Sequence, residues 1–137
     1  MTRSDFQQLA QLRIEEATVL LAAGKFAGAF YLGGYTVECA LKACIAKLTK
    51  EFDFPDKKQV DKSWTHNLET LVLVSGLAQQ READVKHDLD LATNWLKVKD
   101  WDETTRYEIK DQRAAQELYD AITDPKHGVL PWIQQYW

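Results

Sequence analysis

One long apolar segment, residues 25–50, constrains the fold of this chain more than any other feature. Its apolar stripe recurs at the spacing of one helix face, at Phe30, Gly34, Val37, Leu41, Ile45 and Leu48. The segment also holds Gly28, Gly33 and Gly34, although a glycine inside a helix costs on the order of 1 kcal/mol against alanine. We therefore predict a helix at the buried centre of a bundle, closely approached by the backbone of another helix.

Helical spacing also marks the segments on both sides of this helix. A first helix is predicted from a capping box at Ser4 and Gln7 to the C-terminal glycine Gly24. Its apolar positions are Phe6, Leu9, Leu12, Ile14, Ala17, Leu20 and Leu21. Further helices are predicted from Thr65 to Gly76, over residues 79–96 and 110–122, and after the Asp124-Pro125 interruption. In the helix over 79–96, the side chains expected to face inward are Val85, Leu89, Ala92, Trp95 and Leu96.

Two segments lack this spacing, residues 51–65 around Pro55 and residues 97–109, and both are predicted to be connections. Neither strand alternation nor an internal repeat is visible. We therefore predict an all-α, antiparallel helical bundle of four to five helices, formed by residues 1–137 as a single domain.

Composition and charge exclude several classes of protein. Hydrophobic residues make up 45% of the chain and charged residues 28%, which is a globular balance. The net charge of −4 is divided unevenly, with +1 in residues 1–68 and −5 in residues 69–137. A general nucleic-acid binder usually has a basic excess, so only a local basic cleft remains open here. Cys39 and Cys44 point to different faces of one helix, which favours reduced thiols and a cytoplasmic protein. No signal peptide opens the chain, and Glu38 and Lys42 interrupt the apolar run, so no membrane span is expected.

The polar residues of the central helix are the first candidates for a site. Glu38 and Lys42 lie four residues apart, and Tyr31 and Tyr35 extend the same face. One interpretation is an intrahelical ion pair at the edge of the bundle. The other is a polar strip that lines a cleft or a dimer groove.

Outside the central helix, the candidates are His66 and a cluster of Trp101, Arg106 and Tyr107. His66 is either a residue at the start of a helix that packs on the bundle, or a ligand-binding side chain. Trp101 is expected to pack over the bundle end, while Arg106 either pairs with Asp102 or Glu103 or binds a phosphate. No metal-ligand spacing, phosphate loop or hydrolase motif is present, so neither a metal nor a cofactor is predicted.

Five segments of the chain resemble HEPN domains. Residues 30–43 (FYLGGYTVECALKA) are similar to the signature helix of that family, and residues 20–26 (LLAAGKF) resemble the end of its first helix. Residues 65–71 (THNLETL) look like its Thr-His-Asp-Leu segment, and Trp101 with Arg106-Tyr107 resembles its Trp and Arg-Tyr loop. The closing Trp132-Ile133 resembles the end of the family's fold. The resemblance covers most of the chain.

The resemblance implies a four- to five-helix bundle that forms a homodimer and acts beside a minimal nucleotidyltransferase in a toxin–antitoxin or defence module. Active members are metal-independent ribonucleases whose motif is an Arg followed, after four to six residues, by a His. After Arg106 those positions hold Asp111, Gln112 and Arg113. Arg81 and His87 fit the spacing but precede the Arg-Tyr loop, and six helical steps rotate by about 240° beyond a full turn, so the two side chains do not share a face.

The sequence therefore predicts a dimeric module that binds nucleotide, RNA or a nucleotidyltransferase partner without the usual ribonuclease motif. The ligand-binding residues predicted are Tyr31, Tyr35, Glu38, Lys42, His66 and Arg106. One alternative is an active metal-independent ribonuclease toxin, with Arg106, Tyr107 and a Glu38 supplied across the dimer as its catalytic residues. The other is a structural helical adaptor whose aromatic surface holds partner helices.

Overall fold

A computed structural model describes residues 1–49, 53–54 and 56–137, and in these ranges the regular structure is entirely helical. The described α-helices are α1 (Arg3–Ala22), α2 (Phe26–Leu48), α3 (Lys57–Ser63), α4 (Leu68–Val74), α5 (Ala78–His87), α6 (Leu89–Val98), α7 (Gln112–Thr123) and α8 (Val129–Gln134). A short 3₁₀-helix, η1, spans Glu103–Tyr107. The predicted all-α bundle is confirmed, with more and shorter helices than expected. None of the helices described here has the length and hydropathy needed to span a bilayer.

The first two helices form an antiparallel hairpin around Gly24. Its φ of 75° lies in the left-handed region that glycine adopts without strain. The start of α1 differs from the prediction, because Thr2 rather than Ser4 caps it. Thr2 Oγ1 accepts from the Asp5 amide at 3.1 Å, and the Asp5 carboxylate accepts from the Thr2 amide at 2.7 Å. Asp5 thus takes the part predicted for Gln7, two residues earlier in the chain.

Helix α2 is the centre of the bundle, as predicted, and contacts α1, α4, α7, α8 and η1. Side chains, not a helix backbone, approach its glycines, so that part of the prediction is wrong. A Cβ at Gly33 would lie 3.6 Å from Ile122, whereas one at Gly34 would lie 2.2 Å from the indole of Trp101. Gly34 is the position at which the absence of a side chain is required.

The segment predicted as a charged connection, residues 51–65, contains helix α3. Its seven residues bury no side chain fully, so it lacks the apolar face from which a helix is recognised in sequence. Pro55, around which that connection was placed, and Lys50, the predicted end of the central helix, lie outside the described residues.

The single helix predicted over residues 79–96 is two helices that meet at Asp88. Asp88 has φ −136° and ψ 89°, and its side chain accepts from the Leu91 amide at 2.9 Å, which caps α6. The break changes which side chains face inward. Leu89 and Leu96 are 76% and 63% exposed, contrary to the prediction, while the buried side chains of α6 are Leu91, Trp95 and Val98.

The last third of the chain follows the predicted order of elements. The connection predicted over residues 97–109 begins two residues later, because α6 continues to Val98, and it contains η1; α7 ends just before Asp124. Helix α8 buries Trp132 and Ile133 against α2, α6 and α7. Trp101 is 3% exposed and packs on the middle of α2 rather than over the bundle end, because Gly34 leaves room for its ring.

Candidate functional site

Four residues, Tyr31, Tyr35, Glu38 and Lys42, form a continuous line along one face of α2, which we call the α2 strip. Their spacing of four, three and four residues keeps them on one side of the helix over roughly 16 Å. The rings of Tyr31 and Tyr35 stack with centroids 6.1 Å apart. The strip therefore runs from stacked aromatic rings to a charged pair.

The charged pair lies inside the bundle rather than at its edge, which corrects the first interpretation of it. Glu38 is only 1% exposed, and its Oε1 accepts from Lys42 Nζ at 2.9 Å. The Lys42 side chain is itself only 16% exposed. A buried carboxylate needs such partners, since removing an ionised group from water is costly.

His66 joins this pair from another part of the chain. Its Nδ1 lies 2.7 Å from Glu38 Oε1, while its ring remains 45% exposed. The turn after α3 places it there, because Asn67 caps α4 by accepting from the Thr70 amide and Leu68 anchors that helix in the core. His66 is thus more than a residue at a helix start, since it contacts the strip at its most buried point.

Burial also acts on the neutral groups beside Glu38. It raises the pKa of Tyr35 to about 12, with smaller contributions from Cys39 and Glu38. It likewise raises the pKa of the Cys39 thiol to about 12. Both groups are protonated near neutral pH, so Tyr35 is a hydrogen-bonding and stacking side chain, and Cys39 is a buried thiol of low reactivity.

The Arg-Tyr turn of η1 lies at the aromatic end of the strip. Trp101, one turn before η1, stacks on Tyr31 at a centroid distance of 5.8 Å. The Arg106 guanidinium lies 4.9 Å from the centre of the Tyr107 ring rather than against Asp102 or Glu103. Its pKa is raised by hydrogen bonding to Tyr107 and, to a smaller degree, by Tyr31. Asp102 instead caps η1 through the Thr104 amide.

The structure therefore brings the predicted ligand-binding residues onto one connected surface, with His66 and Lys42 at one end and Arg106 at the other. The pair Arg81 and His87 has a different setting. Arg81 donates two hydrogen bonds to Glu69, at 2.7 and 2.8 Å, and lies 4.8 Å over the Trp95 ring. Arg81 is therefore held in the bundle, while His87 is exposed.

A cavity of about 660 Å³ opens beside the charged end of the strip, between α1, α2 and the end of α3. Tyr35, Glu38 and Lys42 line it from α2, and Phe6 and Trp64 line it from the other two helices. The sequence analysis did not select Phe6 or Trp64 as site residues. An isolated tryptophan in an otherwise charged segment was the signal available for Trp64.

A second titratable cluster, also not predicted, joins α6 to the turn before α8. Both carboxylate oxygens of Asp88 lie 2.9 Å from His127 Nδ1, and Asp90 Oδ2 lies 3.7 Å from its Nε2. One oxygen or nitrogen from each residue lies within 4.8 Å of the others, a spacing that could hold a metal ion. Ion pairing between a protonated His127 and the two carboxylates accounts for the arrangement without one.

We expect this cluster to make stability depend on pH near neutrality. Hydrogen bonding to Asp88 raises the pKa of His127, so its contribution is complete below the unfolded value of about 6.5 and is lost as pH rises through the raised value. Urea midpoints of the wild type should fall from pH 6 to pH 8.5 relative to those of His127→Asn. A His87→Asn control should keep the wild-type pH dependence. Identical pH profiles for wild type and His127→Asn would contradict the pairing.

No protein-family model matches this chain, and no curated protein or solved structure matches it either. The HEPN family accordingly remains an expectation from the sequence.

Proposed function

We propose that this chain is a HEPN-type binding module that holds a nucleotide, an RNA or a nucleotidyltransferase partner without cleaving it. In this proposal it acts as a cytoplasmic homodimer within a toxin–antitoxin or defence module. The observation that carries the proposal is the α2 strip, where a buried carboxylate holds Lys42 and His66 in line with stacked tyrosines. Cations are suited to phosphates, and aromatic rings are suited to bases.

The exposed Arg106 supports the same proposal at the other end of the strip. Its guanidinium makes no ion pair within the described residues, and the donors that do not face Tyr107 are available to a phosphate. The burial of Glu38 argues against the alternative in which this carboxylate acts as a base across a dimer. In the binding role, the Oε1 atom of Glu38 holds Lys42 and His66 in place.

Binding of a short fluorescently labelled RNA should weaken about tenfold in Arg106→Ala, because one charged hydrogen-bonding group is lost. Arg113→Ala is the matched control, since its side chain is 86% exposed on α7 and pairs only with Glu117 among the described residues. Anisotropy titrations measure both variants, and gels of the same samples report cleavage. RNA that stays intact supports a binding module.

Cleavage by the wild type that disappears in Arg106→Ala would replace this proposal with the ribonuclease alternative. Cleavage that survives both Arg81→Ala and His87→Ala would exclude a ribonuclease built on that pair.

The alternative of a structural adaptor is supported by exposed apolar side chains, since Trp64, Tyr107 and Ile109 are 77%, 79% and 97% exposed. Absence of RNA and nucleotide binding by a folded wild type would favour it.

A further inference from the structure

The cavity between α1, α2 and α3 has the size and wall of a small-molecule site. Its volume of about 660 Å³ falls within the range of ligand pockets in proteins. Apolar side chains from two helices, including Phe6, Leu9 and Ile45, form much of the wall. Polar side chains line the rest of the wall, and among them Glu38 and Lys42 are the two that form an ion pair.

One of these polar groups lacks a partner. Glu38 Oε1 receives both Lys42 and His66, but its Oε2 is buried and has no hydrogen-bond partner among the described residues. An unpaired buried acceptor is destabilising, and more so when it is charged. The group that would satisfy Oε2 must be a donor, either N–H or O–H. Lys42 lies beside it and is a hydrogen-bond donor. A bound molecule would therefore also need an acceptor that faces Lys42.

An exposed tryptophan stands at the same cavity. Trp64 is 77% exposed, an unfavourable setting for a large apolar ring, and it follows directly on α3. A planar ligand stacked on the indole would cover this surface. Arg3 lines the cavity as well and adds a second cation to Lys42. The occupant indicated is therefore a flat ring with an N–H donor beside an acceptor on its edge, attached to an anion.

We propose that this cavity binds the base of a nucleotide. Glu38 Oε2 accepts from the N–H of the Watson–Crick edge, Lys42 donates to the neighbouring acceptor, Trp64 stacks on the ring, and Arg3 faces the phosphate. The assignment rests on the proposed nucleotide-binding function and adds the position of the base.

The test is calorimetric titration of the protein with the four ribonucleoside 5′-monophosphates. Trp64→Ala should weaken the tightest of them about tenfold or more, because a stacked base contributes about 1–3 kcal/mol. Leu73→Ala is the control, since Leu73 is also largely exposed, at 68%, but lies on α4 away from the cavity. The N-methylated analogue without Watson–Crick N–H donors, such as N6,N6-dimethyl-AMP for AMP, should also bind about tenfold more weakly.

The outcomes separate the two proposals. Nucleotides that bind wild type and Trp64→Ala equally, but Arg106→Ala more weakly, would overturn the cavity assignment and leave the binding function standing. An N-methylated analogue that binds as tightly as its parent would overturn the role of Glu38. Failure of the wild type to bind any nucleotide or RNA would overturn the proposed function and, with it, the base site.

Discussion

Gly34→Ala is expected to destabilise the protein by about 1–2 kcal/mol, whereas Gly33→Ala in the same helix should leave stability unchanged or raise it. Both substitutions gain on the order of 1 kcal/mol in helix propensity. A Cβ at Gly33 would be in ordinary contact, 3.6 Å from Ile122, but a Cβ at Gly34 would lie 2.2–2.3 Å from three atoms of Trp101. Overpacking of this kind costs about 1–3 kcal/mol or more, because the indole cannot move without disturbing its neighbours.

Thermal unfolding followed by circular dichroism would measure this difference, which we expect to be on the order of 10 °C between the two variants. A second arm tests the cause. Combining Gly34→Ala with Trp101→Phe should cost less than the sum of the two single substitutions, because the smaller ring leaves room for the added methyl group. Equal stability of the two alanine variants would show that Trp101 does not determine the requirement for glycine.

Lys42→Met is the second substitution with a large expected effect, about 3 kcal/mol of lost stability. It leaves the carboxylate of Glu38, which is 1% exposed, with only the His66 ring beside its Oε1. Removing one member of a buried pair costs about 3–5 kcal/mol, because the remaining charge is uncompensated. The midpoint of urea unfolding, with the slope of the transition, measures the change.

The chain contains a matched control for this pair. Glu82 and Lys86 have the same four-residue spacing on α5, but their side chains are 73% and 70% exposed and 3.9 Å apart. Lys86→Met should therefore cost no more than about 0.5 kcal/mol. The double variant Glu38→Gln/Lys42→Met should recover most of the loss, since no buried charge remains. Similar losses in Lys42→Met and Lys86→Met would mean that the burial of Glu38 has no energetic consequence.

The Gly34 comparison illustrates how far a single helix can be predicted from its sequence. The apolar stripe of α2 correctly indicated the central helix, with Val37 and Leu41 fully buried. The glycines correctly indicated that another part of the protein packs closely on α2. The sequence of α2 does not show which part that is. Trp101 lies 67 positions further along the chain, and only the packing of η1 on α2 brings it to Gly34.

Errors at helix boundaries have a local explanation. Thr2 and Ser4 both stand three residues before a side chain that can complete a capping box, so the sequence offers two competing starts. Asp88 resembles other polar residues of a charged helix, yet its side chain ends α5 and caps α6. If this break is not recognised, the helical spacing of α5 is continued beyond Asp88. That continued spacing predicts, wrongly, that Leu89 and Leu96 face the core.

The candidate site, too, could be predicted from the sequence only in part. Helical periodicity alone aligns Tyr31, Tyr35, Glu38 and Lys42, because residues three and four apart share a face whatever the helix packs against. Periodicity does not show how deeply a side chain is buried. The burial of Glu38 follows from α1, α4 and the turn that carries His66.

By itself the sequence determined the helical class, the central helix, the glycine ends at Gly24 and Gly76, and the order of charges along the α2 strip. These depend on interactions within about one helical turn, which a linear pattern records directly. Only the tertiary structure decided that His66 contacts the buried Glu38, that Trp64 borders a cavity, and that Asp88 pairs with His127. Those contacts join residues 28 to 39 positions apart or distant helices, and they form only when the apolar faces of the helices are buried together.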